Sequence, residues 1–292
     1  MIADEQRRPG LFYEYVVVPS EALRTLSTTE QDERGYVLEK AREVGRWDGV
    51  RRVEWPRVTP YNSNRGRLQT PVGYVAAFLD PQADVPGLVR DLQPLVNEAQ
   101  DAGVHLTVSL EGGEISPVSV SPVPNDVLDG ALRAVRTVRS LDGVDNLALW
   151  LGNTDPEELR DVPASARVDV TVSDPSDVRR VVKEVGAGSV YLRVRTGNCE
   201  LALDAPLPDA SLSDAEQLFL LLCADDRLQD SMITVTGTDR QGQNLDEPRI
   251  EVWLSIDPAN AGATARELWP LVRESGVDEV DFSVNGMESG QV

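Results

Sequence analysis

The chain holds a single histidine, His105, two cysteines, Cys199 and Cys223, and lysine only at Lys40 and Lys183. Each scarcity removes a chemistry. A Ser-His-Asp relay would have to be built on His105, and no serine or aspartate is placed to complete it. Zinc finds neither a histidine pair nor cysteines at metal spacing, so no metal and no cofactor are expected. Two cysteines far apart in sequence make no disulfide framework. No apolar run approaches the ~18 residues that span a bilayer, and Met1–Gly10 has no apolar segment of the secretory kind. A cytoplasmic protein, away from membranes, is the expectation.

Phosphate-binding loops are missing as well. The glycines of Gly186–Ser189 follow a helix and enter a strand, the reverse of the glycine-to-helix order that cradles phosphate. No GxSxG elbow is present either.

What is abundant is negative charge. Asp and Glu number 49 against 28 Lys and Arg, a net charge of −21, with a pI near 4.4. Such a surface repels nucleic acid and anionic lipid and attracts cations. Two readings stand: adaptation to a saline cytosol with GC-rich coding, and a surface that holds a basic protein.

Three apolar stretches, "AAFLDPQADV", "DVTVSDPSDV" and "EVWLSIDPAN", run into Asp-Pro. An aspartate followed by proline opens a helix, because the carboxylate takes unpaired amides and proline loses nothing at the first helical position. Asp80, Asp174 and Asp257 are therefore expected as caps rather than catalysts. Each is followed by a helical pattern, a glycine and an alternating strand, which makes a βαβ unit. Three more units lie between or before these.

Asp48-Gly49-Val50 recurs as Asp142-Gly143-Val144 at the separation that also divides Asp80 from Asp174, and "LQPLVNE" at 92–98 returns as "LWPLVRE" at 268–274. Duplicated units follow. Tight turns at Glu111–Glu114 and Thr196–Asn198 suit hairpins, whereas Pro56–Thr70, Gly152–Ala164 and Thr238–Pro248 read as long connections. The expectation is an α+β chain of tandem ferredoxin-like (βαββαβ) modules, with antiparallel sheets and helices on one face. Its parts are an N-terminal βαβ half over 1–58, modules over 71–151 and 166–237, and a C-terminal βαβ half over 249–286 that either pairs with the first half or extends its neighbour.

Alternation assigns the faces. Val168, Val170 and Val172 turn inward while Arg167, Asp169 and Thr171 turn out. Leu192 and Val194 oppose Tyr191, Arg193 and Arg195, and Val252 and Leu254 oppose Trp253. Val72–Leu79, apolar on both sides, reads as a central strand. His105 belongs to a polar face with Thr107 and Ser109 and is expected to be exposed. Cys199 and Cys223 read as small core residues, and Arg227 is expected to offset the Asp225-Asp226 pair at a helix end.

The outward set Tyr191, Arg193, Arg195 and Trp253 places aromatics beside arginines, as partner-binding surfaces do; cross-strand ion pairs are the plainer reading. The polar loop "TPYNSNRGRLQ" adds Tyr61, Arg65 and Arg67 as candidate contacts. The function expected is non-catalytic: an acidic adaptor, or an inhibitor of immunity type, for a basic protein. The alternatives are an enzyme or small-ligand binder with an inter-module Asp/Arg/Tyr site, and a structural subunit. Repeated modules are also compatible with a homo-oligomer.

Overall fold

The computed structural model describes residues 28–54, 56–59, 72–152, 165–185, 190–204, 209–238, 244–256, 261–274, 279–284 and 287–289. Across them the order helix–strand–strand–helix–strand–strand runs three times. The first round is α1 (Thr28–Val44), β1 (Val50–Val53) with β2 (Arg57–Thr59), β3 (Val72–Leu79), α2 (Val85–Asp101), β4 (His105–Glu111) and β5 (Val118–Val120). The second is α3 (Asn125–Arg139), β6 (Val144–Leu151), β7 (Ala166–Val172), α4 (Pro175–Val185), β8 (Tyr191–Thr196) and β9 (Cys199–Asp204). The third is α5 (Asp209–Cys223), β10 (Leu228–Thr238), β11 (Asn244–Ile256), α6 (Ala261–Glu274), β12 (Glu279–Val284) and β13 (Met287–Ser289). The expected strand "LFYEYVVV" lies outside the described residues.

The strands form one sheet in chain order, with β1 and β2 end to end along the same edge of β3. Strands joined through a helix pair in parallel: β3 with β4, β5 with β6, β7 with β8, β9 with β10, β11 with β12. The remaining neighbours pair antiparallel. The sheet is thus mixed, which corrects the expected antiparallel one. A split βαβ module inserts an antiparallel strand between the two that flank a helix. Here β3 and β4 bond each other directly from Val72–His105 to Phe78–Glu111, so β5 takes the outer edge of β4. The N-terminal strand β1 joins β3, and the C-terminal strands extend from β10, at opposite ends of the order.

The element order is echoed in detail. Val50 faces Leu79, Val144 faces Val172 and Leu228 faces Ile256, and a register shift follows at once in all three pairs. Gly49 and Gly143, at the helix-to-strand corners, both have positive φ, 81° and 83°. β10 and β11 are longer than the sequence suggested, pairing as far as Thr238–Asn244. Most of the expected Thr238–Pro248 connection is therefore hairpin, and Pro248 falls within the register shift that spares its missing N–H.

All six helices among the described residues lie on one face. Lys40 bonds Glu98 between α1 and α2, Gln93 of α2 reaches the Val123 carbonyl just before α3, and α3 touches α4. Arg179 meets Glu216 between α4 and α5, and Arg227 after α5 meets Glu267 of α6. Successive βαβ units point in opposite directions yet advance the same way beneath this single layer. Their crossovers therefore alternate in hand, and one set departs from the usual right-handed rule.

The core fills the space between helices and sheet. On α3, Leu128, Ala131, Leu132, Val135 and Val138 recur at helical spacing and are buried against inward-facing Leu147, Leu149 and Leu151 of β6. Each fully buried leucine contributes about 2 kcal/mol. Helix starts follow the cap chemistry with one displacement. Asp174 accepts the Ser176 amide at 2.8 Å and Pro175 opens α4, as expected. That bond, made by a backbone amide, holds the Asp174 carboxyl below its usual range. Asp80 instead closes a turn through its carbonyl to the Ala83 amide, and Asp84 caps α2 by accepting from Gly87. Asp257 is outside the described residues.

Candidate functional site

The helix-free face carries the polar side chains of the sheet. Strand register sorts them into rows. Trp150, Arg167 and Tyr191 form one; Ala148, Asp169, Arg193, Ala202, Thr234 and Glu251 form the next; Asn146, Thr171, Arg195, Glu200, Met232 and Trp253 form a third.

Asp169 is the centre of this face. Its Oδ2 accepts a hydrogen bond from Trp150 Nε1 at 3.1 Å. Its Oδ1 lies 3.0 Å from Arg167 Nε, but the approach is too bent for a hydrogen bond, so the two attract as ions and both atoms lack a bonded partner. The Arg167 guanidinium lies over the Trp150 ring, 4.9 Å from its centroid. Burial raises the Asp169 carboxyl above the ordinary carboxylate range, against the opposing pull of Arg167, Arg193 and the Trp150 bond.

Arg193 and Arg195 converge on Glu200. Arg193 Nε stands 2.8 Å from Glu200 Oε1, again off the bonding line, while Arg195 donates through Nε at 3.2 Å and through Nη2 to Oε2. Burial alone would lower the Arg193 pKa; Glu200, Tyr191 and Asp169 outweigh it and hold the guanidinium more firmly charged than usual. Burial raises the Tyr191 hydroxyl. Three of the four expected contacts on this face are therefore engaged within the sheet, Tyr191 with the Arg193 side chain and both arginines with Glu200, as the plainer reading had it. Trp253 differs. It is 37% exposed, beside Met232 and along the strand from Glu251. Tyr61, Arg65 and Arg67 fall outside the described residues.

Sequence reasoning missed Trp150, Asp169 and Glu200 as members of this network. Alternation places Arg167 and Asp169 on the outward face, but only the β6–β7 register sets Trp150 beside Arg167 and within reach of Asp169.

Further along the same face His105, Thr107, Ser119 and Ser121 are buried, and the Thr107 and Ser121 hydroxyls share a 2.8 Å hydrogen bond. His105 is only 4% exposed, which corrects the expected surface histidine. Its neighbour in register is Val72 of β3, an apolar residue that is itself buried.

On the helix side, Cys199 is buried and Cys223 half-buried. The Cys199 thiol donates to Asn198 Oδ1 at 3.7 Å, and its interaction with Cys223 lowers the Cys199 pKa to about 7 and pushes Cys223 up. The expected role as inert filler thus holds for their burial but not for their mutual contact. Arg227 clasps Asp225 with Nε at 2.8 Å and Nη2 at 2.6 Å, as expected, and those hydrogen bonds hold the Asp225 carboxyl below its usual range.

Among the described residues no three or more His, Cys, Asp or Glu side chains are grouped closely enough to hold a metal ion. None of the described helices is long and apolar enough to cross a membrane. No protein-family model, curated protein or solved structure matches the chain.

Proposed function

We propose that the protein acts without catalysis, as an acidic scaffold of duplicated units whose helix-free sheet face holds a basic protein. The observation that carries this reading is Trp253. A tryptophan exposed on an open sheet, next to the flexible thioether of Met232 and along the strand from Glu251, supplies an apolar anchor on a strongly acidic chain. The net charge of −21 would draw a cationic partner by long-range attraction and leave Trp253 to fix it in place. The Arg193–Glu200–Arg195 and Arg167–Asp169 clusters keep the platform beneath rigid.

The test is affinity capture from native lysate, with the wild-type chain and Trp253→Ala as parallel baits, each at low and at high salt. The expected result is a basic protein retained by the wild type at low salt and reduced both by Trp253→Ala and by salt. A captured protein that is acidic, or that Trp253→Ala holds equally well, overturns the reading.

A further inference from the structure

The turn after α5 carries the end of that helix to the first residue of β9. The Leu228 amide donates to the Asp225 carbonyl at 3.1 Å, and the Leu228 carbonyl accepts from Asn198 Nδ2 at 3.0 Å. Asn198 Nδ2 also donates to the Gln229 carbonyl at 2.9 Å, and the Asn198 carbonyl accepts the Ser231 amide at 3.0 Å. The residue before Cys199 is thereby pinned to the start of β10, and that start is tied to the end of α5.

This frame brings the two cysteines together. Cys199 pairs in register with Ser231 and, like Leu201, turns to the helix side, where it is 2% exposed. Cys223, the last residue of α5, packs against the same core and is half-buried. Their side chains interact directly. The chain has no third cysteine to compete with either.

The two sulfurs differ in what they can do. Interaction with Cys223, helped by Ser231, brings the Cys199 pKa to about 7 against burial and the nearby Asp230 carboxylate. Cys199 therefore carries thiolate at neutral pH, the form that takes a proton or attacks sulfur. Cys223 keeps its own proton but is the more exposed of the two. An oxidant has to reach only this outer sulfur, and the inner one can resolve the product from within.

We propose that Cys199 and Cys223 are a modification site, a pair that a hydroperoxide converts to a reversible disulfide between β9 and the end of α5. The Cys223 sulfur attacks the terminal peroxide oxygen while the Cys199 thiolate takes the Cys223 proton. The O–O bond breaks, the departing alkoxide gains a proton from water, and Cys223 becomes a sulfenic acid. The Cys199 sulfur then attacks the Cys223 sulfur, the S–O bond breaks, and hydroxide leaves as water with the Cys199 proton. Two thiols and one hydroperoxide give one disulfide, one alcohol and one water. A small thiol restores the pair by exchange. The site does not depend on the basic-partner reading, since both sulfurs lie on the other side of the sheet from Trp253.

The test treats the reduced full chain with hydrogen peroxide, blocks remaining thiols with N-ethylmaleimide in denaturant, and maps the peptides by mass spectrometry. The expected product is a link between Cys199 and Cys223 within one chain, about 2 Da lighter than the reduced pair and reversed by dithiothreitol. Closing that loop should raise the melting temperature by several degrees. Cys199→Ser should leave Cys223 as a sulfenic acid that dimedone captures. Cys223→Ser should leave Cys199 unoxidised, with circular dichroism checking that both variants are folded. Two free thiols after peroxide, a disulfide only between chains, or oxidation of Cys199 as readily in Cys223→Ser overturns the proposal.

Discussion

Trp150 on β6 donates its indole N–H to Asp169 on β7, 3.1 Å away, and so ties a half-buried carboxylate to the strand before it. That carboxylate also faces Arg167 and lowers the cost of holding Arg193 partly buried. Asp169→Ala removes the acceptor and strands the Trp150 indole N–H, so a loss of about 1–3 kcal/mol in urea unfolding at neutral pH is expected. Trp150→Phe should cost less, because it removes one bond and leaves the charges balanced.

The same residue sets a pH dependence. The Asp169 pKa is raised above 3.8, so between that value and its folded pKa the folded state holds a proton the unfolded state has released. Within that window stability attributable to Asp169 falls as pH rises. Asp174 and Asp225 have lowered values, so their contributions are present above 3.8 and are lost as pH falls further. Unfolding curves of wild type and Asp169→Asn from pH about 4 to about 7 separate the two. The wild type should lose part of its advantage over the variant as pH rises through the window, and a constant difference would refute the assignment.

Cap chemistry gives a paired comparison. Asp84→Ala removes the side chain that accepts from Gly87 and should cost about 1 kcal/mol. Asp80→Ala removes only an exposed carboxylate 3.6 Å from Arg51 and should stay within about 0.5 kcal/mol. Equal losses would mean that the Asp-Pro aspartate starts α2 after all.

Gly143 and Gly197 both have positive φ but differ in surroundings. A Cβ at Gly143 would lie 2.3 Å from Asp177 Oδ2, whereas at Gly197 nothing stands within 4 Å. Asparagine tolerates the left-handed backbone, so Gly197→Asn should change stability by no more than about 0.5 kcal/mol. Gly143→Asn should cost more, up to about 1 kcal/mol, since the Asp177 carboxylate must swing away and give up its exposed pair with Arg180. Thermal unfolding of the two variants checks the contrast.

Charge makes the last prediction. With a net charge of −21 the folded chain repels itself, and added salt screens that repulsion. The melting temperature should climb by several degrees between about 0.05 M and about 1 M potassium chloride. A flat or falling curve would mean that local ion pairs such as Lys40–Glu98 outweigh the overall field.

Much of this architecture could be read from residue order alone. The period-two alternation in β7, β8 and β11 assigned their inward faces correctly, because burial of one face is a local demand on each strand. Arg227 at the end of α5 was legible for the same reason: a helix terminus with two acids needs a nearby cation. Sheet order was not. A hairpin as tight as Gly197-Asn198 fixes which strands touch but not which edge of β8 receives β9, and that choice separates a ferredoxin-like module from the mixed sheet. The Trp150–Asp169 bond and the Cys199–Cys223 contact were hidden for a related reason. Both arise between elements whose relative placement no single stretch encodes.

The margins of the sheet have a consequence of their own. A surface that adds strand after strand by the same rule could recruit another molecule at either rim and grow into a fibre. Among the described residues one rim is broken into β1 and β2, of four and three residues, and the other ends on β13, of three. Such stubs offer an incoming backbone too few amides and carbonyls to grip. As far as the described residues go, a sheet a dozen strands wide thus ends on rims that discourage edge-on polymerisation.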